Sequence, residues 1–299
     1  MCPMFERQEA TPREFGRCTG DVPNPDGAPG HFLAVDHGAQ VLDWRPDGAG
    51  DPVLFTSTRA EYRPGKAIRG GIPVCFPWFG PGRSGRKRPA HGFARLSEWQ
   101  LAGAREQDGV TTLDWHFDET LIPELDHVDP RRNNFTVDYR QVFGRDLELH
   151  VSVRNTDTRG PLVFELALHT YFRVGDVRRI EVHGLSGADY FDQVSGEERT
   201  QIGPIQFDGE VDRVYAFGDT AVIADPVLGR RITLDQSSAN RTIVWNPGPD
   251  KAAAMSDLDF DEWPQFVCVE SGNVRHAAIH LQPGESHELS VRIGVEESA

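Results

Sequence analysis

The sequence predicts an all-β protein, a large antiparallel β-sandwich or barrel. Short apolar runs recur along the chain between turn residues. Several of these runs alternate apolar and polar side chains with a period of two, as in LELHVSV from Leu147 to Val153. Helical periodicity is almost absent, and only Ala252 to Leu258 reads as a short helix. No fixed-period repeat points to a propeller, and no shift in composition marks a linker. The 299 residues are therefore expected to form a single domain.

Taken in order, residues 1–30 carry Pro, Gly, Asp and Thr without periodicity and are expected to be a loop-like N-terminal lead-in. From His31 the runs HFLAV, QVLDW and PVLFT read as the first strands. The stretch from Lys66 to Arg95 then breaks the pattern. Pro73, Pro77, Pro81 and Pro89 lack a backbone donor, and Gly70, Gly71, Gly80, Gly82, Gly85 and Gly92 permit unusual backbone angles. A shaped loop of that length in a compact domain usually carries binding or catalysis. Beyond it, strands are expected at Val110 to Phe117, Leu147 to Val153, Leu162 to Leu168, Ala221 to Ala224, Arg231 to Leu234, Thr242 to Trp245, Phe266 to Val269, Ala277 to Leu281 and Leu289 to Val295.

Composition narrows the class of function. Lys and Arg total 31 against 46 Asp and Glu, a formal charge of −15, which argues against nucleic acid or an anionic membrane as the main partner. Against that acidity the run Arg83, Arg86, Lys87 and Arg88 is an anomaly: either an anion site or a solvated loop. Four cysteines without a CxxC pair suggest reduced thiols and a cytoplasmic setting, with Cys75 and Cys268 in apolar, core-like runs. The first residues lack the unbroken apolar stretch of a secretory signal, and no run is long enough to span a bilayer.

The sequence has no GxGxxG after a strand, no Walker loop, no HExxH and no GxSxG. Polar residues set in apolar strands remain. His169 closes LVFELALH, and Glu270 closes FVCVE on the face of Phe266 and Cys268, where burial raises a carboxyl pKa. Each also has a bland reading, as a satisfied structural imidazole and as the first exposed residue after a buried strand. His91 more often orders a loop than reacts, and Asp192 reads equally as a turn residue.

Together these residues resemble a known pattern. RGGIPVCFPWFG, then HGFAR with Trp99 four residues on, then LHTYF, YFDQ, VWNP and CVESG are similar to the hexose-6-phosphate 1-epimerase branch of the aldose 1-epimerase (galactose mutarotase-like) family. The resemblance runs from about Val53 to the C-terminus and implies a β-supersandwich that interconverts the α and β anomers of an aldohexose 6-phosphate. It implies His169 as general acid and Glu270 as general base, and ring opening is suited by a carboxylate and a protonated imidazole on opposite sides of the hemiacetal. Arg69, His91, Arg95 and Asp192 are implied as substrate-binding residues, with phosphate as the target of the arginines. The expected partner is a small sugar phosphate taken by a monomer, with no metal, cofactor, nucleic acid or membrane. Relatives often carry Gln before the HGFAR histidine, where this chain has Ala90, so one polar contact is missing or comes from Arg86, Lys87 or Arg88. Two alternatives stand beside this reading: mutarotation of a free hexose, and a non-catalytic carbohydrate-binding or regulatory sandwich.

Overall fold

The computed structural model describes residues 5–9, 15–24, 28–46, 48, 50–122, 134–236 and 238–298. Among these the chain is nearly all β, with four antiparallel sheets. One eight-stranded sheet runs in the order Glu181–His183, Ala221–Asp225, Arg230–Asp235, Ser286–Glu297, Leu147–Asn155, Phe135–Phe143, Val110–Asp118 and Gln100–Gln107. The other contains Glu197–Thr200, Asp189–Asp192, Val211–Tyr215, Arg241–Asn246 and Phe266–Asn273, then Leu166–Leu168 and Val74–Cys75, with Tyr171–Arg173 also paired to Phe266–Asn273. This second sheet carries the candidate site.

The two sheets pack face to face. Leu113, Trp115, Phe117, Leu289, Val291 and Ile293 of the first share one apolar cluster with Val211, Tyr215, Val244, Val267 and Val269 of the second. Each set sits at alternate strand positions, so the period of two in the sequence becomes the inner face of the sandwich. The opposite face of the second sheet is then free to hold polar groups.

The expected loop-like lead-in is corrected. Phe5–Gln8 and Arg17–Val22 are strands, and with Gly30–Val35 and Gln40–Arg45 they form a four-stranded sheet. Cys18 and Val22 point inward and are fully buried, but RCTGDV has too few apolar residues to show that pattern on its own. Cys2 lies outside the described residues. PVLFT forms only isolated bridges, Leu54 to Phe172 and Thr56 to Gly70. Leu162 to Leu168 divides into Leu162–Phe164, paired with Ile279–Leu281, and Leu166–Leu168 in the site sheet. The break falls at Glu165, a buried carboxylate that accepts the backbone N–H groups of Phe79 at 3.3 Å and Arg275 at 2.5 Å. The helix is Gly248–Ala253, earlier than expected, with Pro249 in its first turn, where a missing N–H costs nothing.

The stretch from Lys66 to Arg95 is a shaped loop, with regular structure confined to Val74–Cys75 and a 3-10 turn at Ala94–Leu96. It is tied to the site sheet by its main chain: the amide of His169 donates to Pro73 O at 3.0 Å, and that of Glu165 to Pro77 O at 3.0 Å. It also closes on itself, the amide of Phe93 donating to Phe76 O at 3.0 Å. Gly92 makes that closure possible. Its φ is +74°, and a Cβ there would lie 2.0 Å from Phe76 O, so no other residue fits. No helix among the described residues is long and apolar enough to cross a membrane.

Candidate active site

The site is a consequence of strand register. Leu168, in one strand, pairs with Ser271, and Tyr171, in the next, with Cys268, both partners lying on Phe266–Asn273. Counting inward, His169 stands opposite Glu270. The ladder opens at this point: the His169 amide turns to Pro73 O and that of Thr170 to Leu168 O. The side chains meet, with His169 Nε2 3.4 Å from Glu270 Oε1, and both are buried. Neither bland reading therefore holds by itself, because the imidazole is not satisfied at Nδ1 and the carboxylate is not exposed. His169 Nδ1 and Glu270 Oε2 are buried without a hydrogen-bond partner among the described residues. Such orphaned atoms cost free energy unless a ligand pairs with them.

Electrostatics push the two groups toward their neutral forms. Burial holds the His169 imidazole well below its usual value, and the cationic Arg95 and Arg69 press in the same direction. Burial pushes the Glu270 carboxyl well above the usual carboxylate range; Asp212 adds to the effect and Arg95 opposes it. Both shifts favour the uncharged form of each group in the free site. His169 is fixed by aromatic neighbours: its ring stacks on Tyr171 at 4.9 Å and meets Trp245 edge-on at 5.9 Å.

His91 sits beside the pair, 5.4 Å from His169 between ring centroids. Its φ is +64°, a conformation that non-glycine residues adopt uncommonly, and the loop holds it there. The Gly80 N–H donates to His91 Nδ1 at 3.3 Å, while the His91 amide donates to Gly80 O at 2.8 Å. Cys75 Sγ lies 3.4 Å from the same Nδ1. A backbone N–H can only donate, so Nδ1 is an acceptor. Burial and the positive Arg95 keep His91 neutral, so its proton resides on Nε2.

The two arginines differ in their pairing. Arg69 donates from Nε and Nη2 to the carboxylate of Asp257, at 3.1 Å and 2.9 Å to Oδ2, and from Nη1 to Tyr171 Oη at 2.8 Å. Arg95 donates from Nη2 to Ala90 O at 3.0 Å, and its buried Nε has no partner among the described residues. Arg83, Arg86, Lys87 and Arg88 are exposed, Lys87 lies over the Trp78 ring at 5.0 Å, and Arg88 turns to Lys87 O.

Asp192 is not brought to the His169–Glu270 pair. Glu270 pairs with Ile243, Ile243 with Val214, and Val214 with Phe191, so Phe191 shares the Glu270 face and Asp192 takes the other. Its Oδ1 accepts the amides of Val194 at 2.9 Å and Ser195 at 3.0 Å, the turn role open to an aspartate. Asp212 is the acid on the correct face, since it pairs with Trp245, which pairs with Cys268 and in turn Tyr171. Burial raises its carboxyl pKa. Gln193 donates to Asp212 Oδ1 through Nε2 and accepts from Arg275 through Oε1. The signal in the sequence was the alternation in VDRVY, where Val211 and Tyr215 face the core and Asp212 faces away. Asp192→Ala is expected to cost about 1 kcal/mol of stability through the lost turn while kcat/KM for anomer exchange stays within about threefold. Asp212→Ala is expected to lower kcat/KM by at least about tenfold, since it removes a charged hydrogen-bonding group from the site face. Thermal unfolding and exchange kinetics on both variants separate the roles.

Among the described residues, no group of three or more His, Cys, Asp or Glu side chains is placed to hold a metal ion. The arrangement places a titratable pair in contact beside two cations, which is what proton transfer between neighbouring oxygens requires.

Comparison with known proteins agrees with this chemistry. The sequence profile described as aldose 1-epimerase matches residues 27–294. A protein of Escherichia coli strain K12, provisionally named glucose-6-phosphate 1-epimerase, is 37% identical over 254 residues, spanning 80% of this chain and 82% of the relative. A similarly named protein of Cenchrus ciliaris is 36% identical over 256 residues, spanning 83% and 76%. The crystal structure of a provisional mutarotase from Salmonella typhimurium superposes with a TM-score of 0.85 at 28% identity, covering 99% of this chain and 95% of the other. This chain belongs to the aldose 1-epimerase family and is an isomerase that interconverts sugar anomers.

Proposed function

We propose that the protein interconverts the α and β anomers of an aldohexose 6-phosphate, with glucose 6-phosphate as the first candidate, in the cytoplasm and without a cofactor. The observation that carries the reading is the His169–Glu270 contact at 3.4 Å beside two arginines. Ring opening moves two protons about one carbon. The anomeric hydroxyl gives its proton to a base, the bond from that carbon to the ring oxygen breaks, and the ring oxygen takes a proton from an acid. Both oxygens are bonded to the same carbon, so a touching acid-base pair addresses them together from one side. Groups on opposite sides of the hemiacetal are not required. Rotation about the bond between the first two carbons and closure with reversed transfers gives the other anomer. The pair gives one proton and takes one, so it ends as it began. Positioned acid-base catalysis of this type is worth about 10² to 10⁴ in rate.

The phosphate has a second effect in this scheme. Arg95 and Arg69 both hold the His169 pKa down. A phosphate dianion on those guanidinium groups cancels part of that field and raises His169 toward its ordinary range. The phosphorylated sugar thereby favours the protonated imidazole that serves as general acid, with Glu270 as base. Guanidinium forks also suit phosphate geometry, and the named relatives point to the same substrate. Asp212 and the Nε2–H of His91 are the groups left to bind sugar hydroxyls.

One observation favours the alternative of a free hexose: Arg69 is already paired with Asp257. Magnetisation-transfer NMR of anomer exchange decides. The expected result is faster exchange of glucose 6-phosphate, with kcat/KM above that for glucose. A higher kcat/KM for glucose would establish the free-hexose mutarotase, and no acceleration of either sugar would end both readings.

A further inference from the structure

Asp257 has no part in the proton transfers, yet it occupies one of the two arginines of the site. A guanidinium offers five N–H groups. Asp257 takes the edge formed by Nε and Nη2, with contacts of 3.1, 2.9 and 3.2 Å, and Tyr171 takes one N–H of Nη1 at 2.8 Å. A bidentate carboxylate on that edge has the geometry that a phosphate would adopt there. Arg95 has no carboxylate partner among the described residues. One cation is open and the other is filled by the protein itself.

The filling group is placed to leave. Asp257 lies in the segment that follows helix Gly248–Ala253, and the Arg69 and Asp257 side chains are each 22% exposed. An aspartate released from Arg69 therefore reaches water and keeps its charge solvated. A fully buried carboxylate would have no such exit, and its pair would be costly to open. The Tyr171 contact uses Nη1, a nitrogen that Asp257 does not touch, so it does not depend on the Asp257 pair and anchors Arg69 beside the ring that stacks on His169.

We propose that Asp257 is a specificity-determining residue that acts as an internal anion, holding the phosphate-binding edge of Arg69 until the phosphoryl group of the substrate displaces it. The proposal rests on the reading of the site as one for hexose phosphates. Exchange of one anion for another leaves Arg69 paired in both states, so much of the attraction for phosphate is offset and the product is not held too tightly. Neutral sugars make no such exchange. Asp257 therefore sets how strongly the phosphorylated sugar is favoured over the free one.

The test is isothermal calorimetry with inorganic phosphate on the full chain, with Asp257→Asn and Asp257→Ala beside the parent. Both variants are expected to bind phosphate about 3- to 10-fold more tightly, the range of a partly exposed ion pair. KM for glucose 6-phosphate should fall in parallel, with kcat level or lower as product leaves more slowly. If Asp257 merely positioned Arg69, its removal would weaken phosphate binding and raise KM. Unchanged or weaker binding in a variant whose thermal unfolding is intact, or no phosphate binding by any form, overturns the proposal. Calorimetry needs no turnover, so the two readings fail separately. Tighter phosphate binding without exchange of any hexose phosphate would remove the substrate assignment alone. Exchange of glucose 6-phosphate with unchanged binding in the variants would remove the Asp257 assignment alone.

Discussion

Glu270→Gln is expected to lower kcat for anomer exchange by about 10²- to 10⁴-fold, the value of a positioned acid-base group, and also to make the protein more stable. Both follow from the burial of one carboxyl group. Glu270 is 1% exposed and its Oε2 has no hydrogen-bond partner among the described residues. Ionising it there is unfavourable, so its carboxyl pKa lies well above the ordinary 4.5. A group whose pKa is raised by folding contributes stability that is fully present below its unfolded value and is lost as pH rises through its folded value. Glutamine has nearly the same shape and no charge to lose. The two proteins should therefore differ little in this respect near pH 4.5, and the variant should gain on the parent as pH rises. A gain on the order of 1 kcal/mol corresponds to about 2 °C in Tm for a chain of this size. Thermal scans from pH 4.5 to 8 measure it. A variant that keeps full exchange activity would remove Glu270 from the chemistry.

His169 gives the mirror image. Its folded pKa is lowered from 6.5, so the stability it contributes is present above that value and is lost as pH falls through the folded one. Acid destabilisation of the parent should thus be reduced in His169→Asn while the Glu270-linked loss at higher pH remains. Two opposite pH signatures from touching residues would identify a functional pair that burial disfavours, the usual exchange of stability for activity.

Much of the fold was legible in the sequence, and for a physical reason. The inner residues of Leu147–Asn155, Val110–Asp118 and Ser286–Glu297 are buried on one side only, so the period of two survives in the sequence. Where a strand is short and charged on both faces, as in Glu197–Thr200, or has few apolar residues, as in Arg17–Val22, the pattern does not survive. The site was legible in part. Residue type drew attention to His169 and Glu270, but their contact depends on pairing between strands about a hundred residues apart, which local periodicity does not encode. Asp192 and Asp212 show the same limit. Each is an aspartate in a short strand, and only the register through Val214, Ile243 and Glu270 decides which faces the site. The pairing of Arg69 with Asp257, residues 188 positions apart, left no local trace either.

Arg95→Ala is expected to reduce the preference for glucose 6-phosphate over glucose, as a ratio of kcat/KM values, by about 10- to 100-fold. The size follows from the loss of charge-assisted hydrogen bonds worth about 1.5–3 kcal/mol, and Arg95 is the arginine free to make them. Arg69 should matter less to affinity, because Asp257 already offsets it. Arg95→Lys should restore part of the preference, since it returns the charge without the planar fork. A second consequence separates this role from a structural one. Arg95 holds the pKa of His169 down, so its removal lets the imidazole take a proton at higher pH. The alkaline limb of the pH profile for kcat/KM on free glucose, where His169 loses the proton it must donate and no phosphate intervenes, should move upward in Arg95→Ala and return in Arg95→Lys. Loss of packing alone would lower the rate at every pH and leave the limb in place. An unchanged preference between the two sugars, with that limb displaced as expected, would leave Arg95 as a regulator of the proton-transfer pair and pass recognition of the phosphate to Arg69 and its exchange with Asp257.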